Sequence, residues 1–439
     1  MREHDEIDTF LNRVCAHIRS RDMHRDIRQE LGAHLEERIS DKQAEGRSRE
    51  EAAAWAIAQM GDPVMLGKRL HSIHKPRTYW GLLVTIALLS VMGLLAMWSV
   101  DTSYRDSALF GGVQFAQRQA LYVVLGVLIM LVLYFWDYRK LRKGSWILYA
   151  ATLGGIVATT IFGFSVNGVR EYIVFGPISL NGIALGPYLL VIAITGILMN
   201  GSLDKARRRS VRLSLKLLVL GGPCVLFVLI RALPELGMYS AVMLVVAGWL
   251  TGKWLRSGLA ALGAAGAGML FVWNDPYLLK RIGAALFPSQ DPLGNGYMYM
   301  QQLAAIRSAG WLGHGFGAMP ERLPLIHSDM LLPYLIYSFG WVAGLLLIGA
   351  VVWLLARLAH AVRVVREPYG KALFLVLSIV LALQLVYGLA MMSGRVMLVS
   401  LPFPFLGYGS HLMMEFAAAG LLLGIYRRKD TIPAHTAAE

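Results

Sequence analysis

The chain has 439 residues, of which 56% are apolar and only 16% charged, and it carries a formal net charge of +14. Soluble domains carry about 25% charged residues, so this composition excludes an ordinary soluble enzyme. Two cysteines, Cys15 in a polar stretch and Cys224 inside an apolar run, exclude a disulfide framework or a cysteine-based metal site.

Residues 1–78 contain 14 Lys/Arg and 14 Asp/Glu, so this segment is densely charged but neutral. Phe10, Leu11, Val14 and Ile18 follow helical spacing, as do Ile27, Leu31, Leu35 and Ile39. Ser48 with Glu51 three residues later predicts a capping box that opens a third helix over 50–60, which Gly61 can close. His17, His24 and His34 lack the pair spacing of metal ligands and read as a solvated helix face. The segment resembles the short helical prefix found before permeases and on some sensor-associated membrane proteins of Gram-positive bacteria. That resemblance implies a small cytoplasmic interaction module.

The first long apolar run begins near Tyr79, too late for a cleavable signal peptide and suited to a permanent span. Ten spans are expected, near 79–100, 116–136, 145–163, 184–200, 213–230, 237–252, 257–273, 331–356, 372–393 and 411–426. The loops after the even-numbered spans are basic, with Arg139, Lys140, Arg142 and Lys143 in the first and Lys205, Arg207, Arg208, Arg209 and Arg212 in the second. Arg357, Arg363 and Arg366 continue the pattern, and Arg427, Arg428 and Lys429 end it. Basic charge gathered in short loops speaks for membrane topology rather than nucleic acid. By the positive-inside rule both termini are cytoplasmic and the long segment 274–330 lies outside. The fold class read here is an all-α polytopic membrane protein. A helical domain over 1–78 precedes a membrane domain over 79–430, and a short tail over 431–439 follows.

The long outer segment holds Asp291-Pro292 with Gly294 and Gly296, which predict a turn, then a helix over 297–308. Gly310, Gly313, Gly315 and Gly317 predict an irregular piece, and His327-Ser328-Asp329 meets the eighth span. From these residues alone, Asp291 is a turn cap before it is a catalyst.

In this region Asp291, Pro292, Gly294, Gly296, Tyr297 and Gln301 stand where the FtsW/RodA/SpoVE family, the SEDS proteins (shape, elongation, division and sporulation), carries an outer-loop DPxGxGYQxxQ run. Gly310, Gly313, Gly315 and Gly317 match its glycines, and Leu323, Pro324, His327 and Asp329 match the run that follows. Asn167 to Gly176, Pro234-Glu235-Leu236-Gly237 and Pro402 to Ser410 resemble three further family segments, in the same order. The resemblance spans roughly 80–430.

What the resemblance implies is a peptidoglycan glycosyltransferase that polymerises lipid II, with Asp291 as the catalytic base. A sugar hydroxyl is a poor nucleophile, and a positioned carboxylate takes its proton as it attacks the anomeric carbon. The leaving lipid pyrophosphate needs cations nearby. Arg170 and Arg281 are the candidates, although either could be an interfacial snorkelling residue. A divalent cation, Mg or Mn, could assist. Tyr297, Gln301, His327 and Asp329 are the further substrate-binding candidates. The resemblance also implies a class B penicillin-binding transpeptidase as partner, a bacterial plasma-membrane location and a role in division, shape or sporulation.

The chain departs from the family pattern where a Glu and a Lys entering the fourth span become Ala184 and Pro187. A paired Glu-Glu in the eighth span becomes Tyr337-Ser338, the Glu after Leu-Pro becomes Leu325, and a Lys between the loop glycines becomes His314. These exchanges keep open a lipid II-binding scaffold without catalysis. A precursor transporter is the third reading.

Overall fold

The computed structural model describes residues 2–18, 24–73, 78–107, 110, 112–166, 169–176, 178–205 and 209–429. Asn167 and Gly168 of the third-loop motif, the basic Arg207 and Arg208, and the tail 431–439 lie outside the described residues. The chain divides into two compact units, one formed by Met1–Tyr79, Val364–Pro368 and Ile425–Glu439, the other by Trp80–Arg363 and Tyr369–Gly424.

In the first unit four helices, α1 (Arg2–Ala16), α2 (His24–Ala44), α3 (Arg49–Met60) and α4 (Pro63–Ile73), enclose Phe10, Val14, Ile18, Leu35, Ile39 and Ala56. The capping box is present: the Glu51 N–H donates to the Ser48 hydroxyl at 3.3 Å and the Ser48 N–H to the Glu51 carboxylate at 3.4 Å. Such a cap contributes about 1 kcal/mol. Gly61 closes α3 at φ 77°, a left-handed backbone in which a β-carbon is strained. The added helix α4 starts at Asp62-Pro63, where the Asp62 carboxylate accepts the Val64 N–H at 2.9 Å. The histidines serve local contacts: His17 meets the Arg13 carbonyl, His24 the Ile18 carbonyl and His34 the Glu37 carboxylate.

The second unit runs α5 (Trp80–Ser103), α6 (Phe115–Phe135), a one-turn α7 (Arg139–Lys143) and α8 (Ser145–Phe162). A small antiparallel sheet follows, β1 (Phe164–Val166), β2 (Val169–Phe175) and β3 (Ile178–Asn181), then α9 (Gly186–Met199), α10 (Arg209–Leu229), α11 (Leu233–Thr251) and α12 (Trp254–Trp273). The outer segment supplies α13 (Pro276–Leu286) and α14 (Tyr297–Ser308), and α15 (Leu331–Val364), α16 (Pro368–Met391) and α17 (His411–Arg427) complete the unit's helices. Each of the ten expected spans coincides with one of these helices. Among the described residues five of them, α5, α6, α8, α15 and α16, are long and apolar enough to cross a membrane, and three shorter apolar stretches lie in α9, α10 and α11. In α5, Leu82, Ile86, Leu89 and Ala96 are buried while Val84, Val91, Leu95 and Trp98 are exposed. Apolar residues on both faces suit a helix bounded by protein on one side and lipid on the other. The sheet and α13 are additions to the elements expected from the sequence.

The glycine run acts on α15. Gly310, Gly313, Gly315 and Gly317 all have positive φ, between 60° and 104°, and α15 is interrupted at Gly340 (φ 77°). At that break the loop inserts its backbone. His314 and Gly315 donate N–H groups to the Tyr337 and Ser338 carbonyls at 2.9 and 3.0 Å, and the Trp341 and Val342 N–H groups return bonds to Gly310 and Trp311 at 3.0 and 3.2 Å. The loop thus satisfies polar groups that the broken helix leaves open, a requirement inside an apolar bundle. A β-carbon on Gly313 would run into the Ser338 carbonyl, and one on Gly340 into the Trp311 carbonyl.

Candidate functional site

Asp291 lies in a tight turn between a 3-10 turn at Pro288–Gln290 and α14. Its carboxylate accepts the N–H of Gly294 at 3.0 Å and of Asn295 at 2.8 Å, with the Asn295 side-chain amide at 3.4 Å. A β-carbon on Gly294 would strike this carboxylate, and one on Gly296 the Pro288 carbonyl, which is why both positions need glycine. Asp291 is exposed. A carboxylate has about four lone-pair sites, so the turn leaves acceptor capacity facing solvent.

Beside this turn in sequence, Met298 in the first turn of α14 lines a cavity of about 1120 Å³. The α10–α11 corner, the start of α13 and the segment from Met397 to Leu401 supply most of its wall, and Leu325, Asp329, Leu383 and Tyr387 complete it. Most of the lining is apolar, with Val228, Leu233, Met238 and Leu383 among it, and its charged residues are Arg231, Asp275, Arg281 and Asp329. An apolar cleft with few convergent polar groups is the usual form of a ligand site.

The polar rim is held from several sides. Arg281 donates to the Leu398 carbonyl and lies over the Tyr277 ring at 5.7 Å. The Leu398 N–H donates to the Tyr299 hydroxyl at 3.0 Å, and the Tyr387 hydroxyl to the Met397 carbonyl at 2.8 Å. Asp275 caps α13, accepting the Tyr277 and Leu278 N–H groups at 2.9 and 3.3 Å. Asp329 opens to the cavity but is walled in by protein. That burial raises its carboxyl above the usual range, against a hydrogen bond with Ser400 and the charge of Arg281.

Of the residues singled out from sequence, the cavity therefore brings together Arg281 and Asp329. Tyr297 donates its hydroxyl to the Arg322 carbonyl at 3.3 Å and Gln301 is half-buried on α14; neither lines the cavity. Arg170 stands on β2 with its guanidinium on the Ile161 carbonyl at 2.7 Å, also outside the lining. His327 sits among aromatic rings, 4.8 Å from Phe115 and 5.2 Å from Phe110, and burial pushes its imidazole down. Sequence reasoning missed Arg231, Asp275 and Ser400. The Asp275-Pro276 pair, a capping residue with proline at the first helical position, was a readable signal for one of them. Among the described residues no three His, Cys, Asp or Glu side chains group to hold a metal ion. The described residues therefore do not fit a protein-held cation.

The segment 402–410 runs non-helically against the bundle. Gln119 donates to the carbonyls of Leu406 at 3.3 Å and Gly407 at 3.0 Å, and the buried Glu415 accepts the Phe405 N–H at 2.6 Å and meets His411 at 2.8 Å. The Ser410 hydroxyl accepts the Asn181 N–H at 3.2 Å.

Comparison with known proteins bears on this arrangement. The FTSW_RODA_SPOVE family model, described as a cell cycle protein, matches residues 79–431. Stage V sporulation protein E of Bacillus subtilis is 28% identical over 364 residues, 79% of this chain and 94% of that protein. The probable peptidoglycan glycosyltransferase FtsW of a Thioalkalivibrio species is 31% identical over 391 residues, 80% of this chain and 90% of that one. Among solved structures, a chain from work on the coordination of polymerization and crosslinking by a peptidoglycan synthase complex aligns with a TM-score of 0.63 at 25% identity, covering 80% of this chain and 98% of that chain. The rod shape determining protein RodA of Thermus thermophilus aligns at 0.55 with 21% identity, covering 80% and 97%, a likeness of fold.

Proposed function

We propose, from the premise that this chain belongs to the FtsW/RodA/SpoVE family of cell cycle proteins, that it is a peptidoglycan glycosyltransferase of the bacterial membrane. It is a multi-pass membrane protein, and in our reading it crosses ten times, with both termini and the 1–78 helical unit in the cytoplasm. The donor is lipid II. The observation that carries this reading is the large, mostly apolar cavity that Met298, in the helix following the Asp291 turn, helps to line, with Arg281 and Asp329 in its polar rim.

The cavity's apolar walls suit the polyprenyl chain, and Arg281 suits the diphosphate. The acceptor sugar's hydroxyl attacks the anomeric carbon of the donor, the bond from that carbon to the diphosphate oxygen breaks, and the lipid diphosphate leaves with the electron pair. Asp291 takes the hydroxyl proton. Its exposed position in a rigid turn supports this role, because a base must reach a substrate held outside the bundle. Asp329, Tyr297, Gln301 and His327 orient substrate or the loop that meets it. The partner is a class B penicillin-binding transpeptidase, a reading supported by the synthase complex whose chain this one resembles in fold.

The test is polymerisation of labelled lipid II by the purified protein with its cognate transpeptidase. Product from the wild type that vanishes in Asp291→Ala supports the reading; retained lipid II binding with no product under any partner condition contradicts it. A reporter fused after Pro320 is expected outside the membrane, and a cytoplasmic signal there would overturn the topology.

A further inference from the structure

Three non-glycine residues among those described have left-handed backbone, Arg231 (φ 58°), Leu325 (φ 51°) and Phe405 (φ 64°), and the first two line the same cavity. Side chains rarely adopt this conformation, and residues that do cluster at active sites and ligand clamps. Arg231 ends the corner after α10: its N–H donates to the Val228 carbonyl at 3.1 Å, and its own carbonyl accepts the Leu233 N–H at 3.0 Å. Glycine would adopt that backbone without strain.

The charges of the lining do not cancel evenly. Asp275 is occupied with the backbone of α13, and Asp329 faces Ser400 and Arg281. Among the described residues no side-chain hydrogen bond or ion pair is found for Arg231, which leaves an exposed guanidinium in a mainly apolar wall. A guanidinium is always charged and binds phosphate oxygens in a two-pronged fashion.

We infer that Arg231 and Arg281, on different elements of one cavity, form a two-arginine clamp for the diphosphate of the polyprenyl donor. This rests on the glycosyltransferase reading and puts Arg231, in place of Arg170, beside Arg281 at the diphosphate. The clamp holds the departing diphosphate as well as the donor, so the released lipid diphosphate is itself a ligand.

The experiment measures binding of undecaprenyl diphosphate, undecaprenyl monophosphate and phosphatidylglycerol to the full chain in nanodiscs, beside lipid II polymerisation. Arg231→Gly is the central variant, because glycine relaxes the left-handed backbone and a folding defect cannot explain its loss; Arg231→Lys is its partner. The expected result is wild-type preference for the diphosphate, weakened tenfold or more in Arg231→Gly and partly restored in Arg231→Lys. Unchanged diphosphate binding in Arg231→Gly overturns the clamp. So does equal binding of phosphatidylglycerol, which would make the site one for anionic lipid headgroups. A wild type that binds the diphosphate through Arg231 but makes no polymer supports the clamp and defeats the glycosyltransferase reading.

Discussion

The Asp291 turn and the cavity lined by Arg281 and Asp329 are built on opposite principles. The turn is local: one carboxylate, two close-approach glycines and the residues between them complete it within six positions. The cavity is assembled from stretches more than a hundred residues apart, and its polar rim depends on Arg281 and Tyr299 reaching Leu398. The turn needs only neighbouring residues, while the cavity exists only where distant stretches pack together. The difference fits the proposed division of labour, in which the cavity binds and the turn reacts.

The sharpest test of that division replaces Asp291 in two ways. Asparagine keeps an oxygen for the Gly294 N–H but cannot take a proton, so Asp291→Asn should lose polymerisation as fully as Asp291→Ala, by about 10²–10⁴-fold. Activity retained in Asp291→Asn alone would reduce Asp291 to a turn cap. Next in size, Gly313→Ala or Gly340→Ala should destabilise the loop-to-helix insertion by about 1–3 kcal/mol, read as a fall in melting temperature. In the cavity, Arg281→Ala should raise the KM for lipid II by roughly tenfold, as expected for one charge-assisted contact of about 1.5–3 kcal/mol, with a smaller change in kcat.

Asp329 gives a pH signature. Its carboxyl is raised in the folded protein by burial, so the native state holds that proton more tightly than the unfolded chain does. The resulting stability is present below the unfolded pKa and is lost as pH rises through the folded pKa. Asp329→Asn should therefore melt higher than wild type at neutral pH, with the gap closing in acid; a gap that widens in acid would contradict the assignment. The smallest effect is expected from Arg170→Ala, which should stay within about twofold of wild-type polymerisation, since a lone exposed contact contributes little. A large loss there would move the diphosphate site towards the sheet.

What the sequence revealed follows the same local–distant divide. The Ser48–Glu51 cap, the helix over 297–308 and the Asp291 turn are set by residues a few positions apart, and each stands where spacing puts it. Helices α4 and α13 share an Asp-Pro start, at Asp62 and Asp275; Asp291-Pro292 has the same pair but opens a turn, because Gly294 and Gly296 follow. The glycine run was legible as irregular, but not as the piece that inserts at Gly340, since nothing local pairs His314 with Tyr337 or Gly310 with Trp341. Arg231 was silent for the same reason: an arginine at a helix end reads as snorkelling until the cavity is seen around it.

The most direct measurement of the account is lipid II binding and polymerisation followed together in Asp291→Asn and Arg281→Ala. The account predicts that Asp291→Asn binds lipid II as the wild type does while making almost no polymer, and that Arg281→Ala binds it weakly. Loss of binding in Asp291→Asn, or wild-type binding in Arg281→Ala, would contradict it.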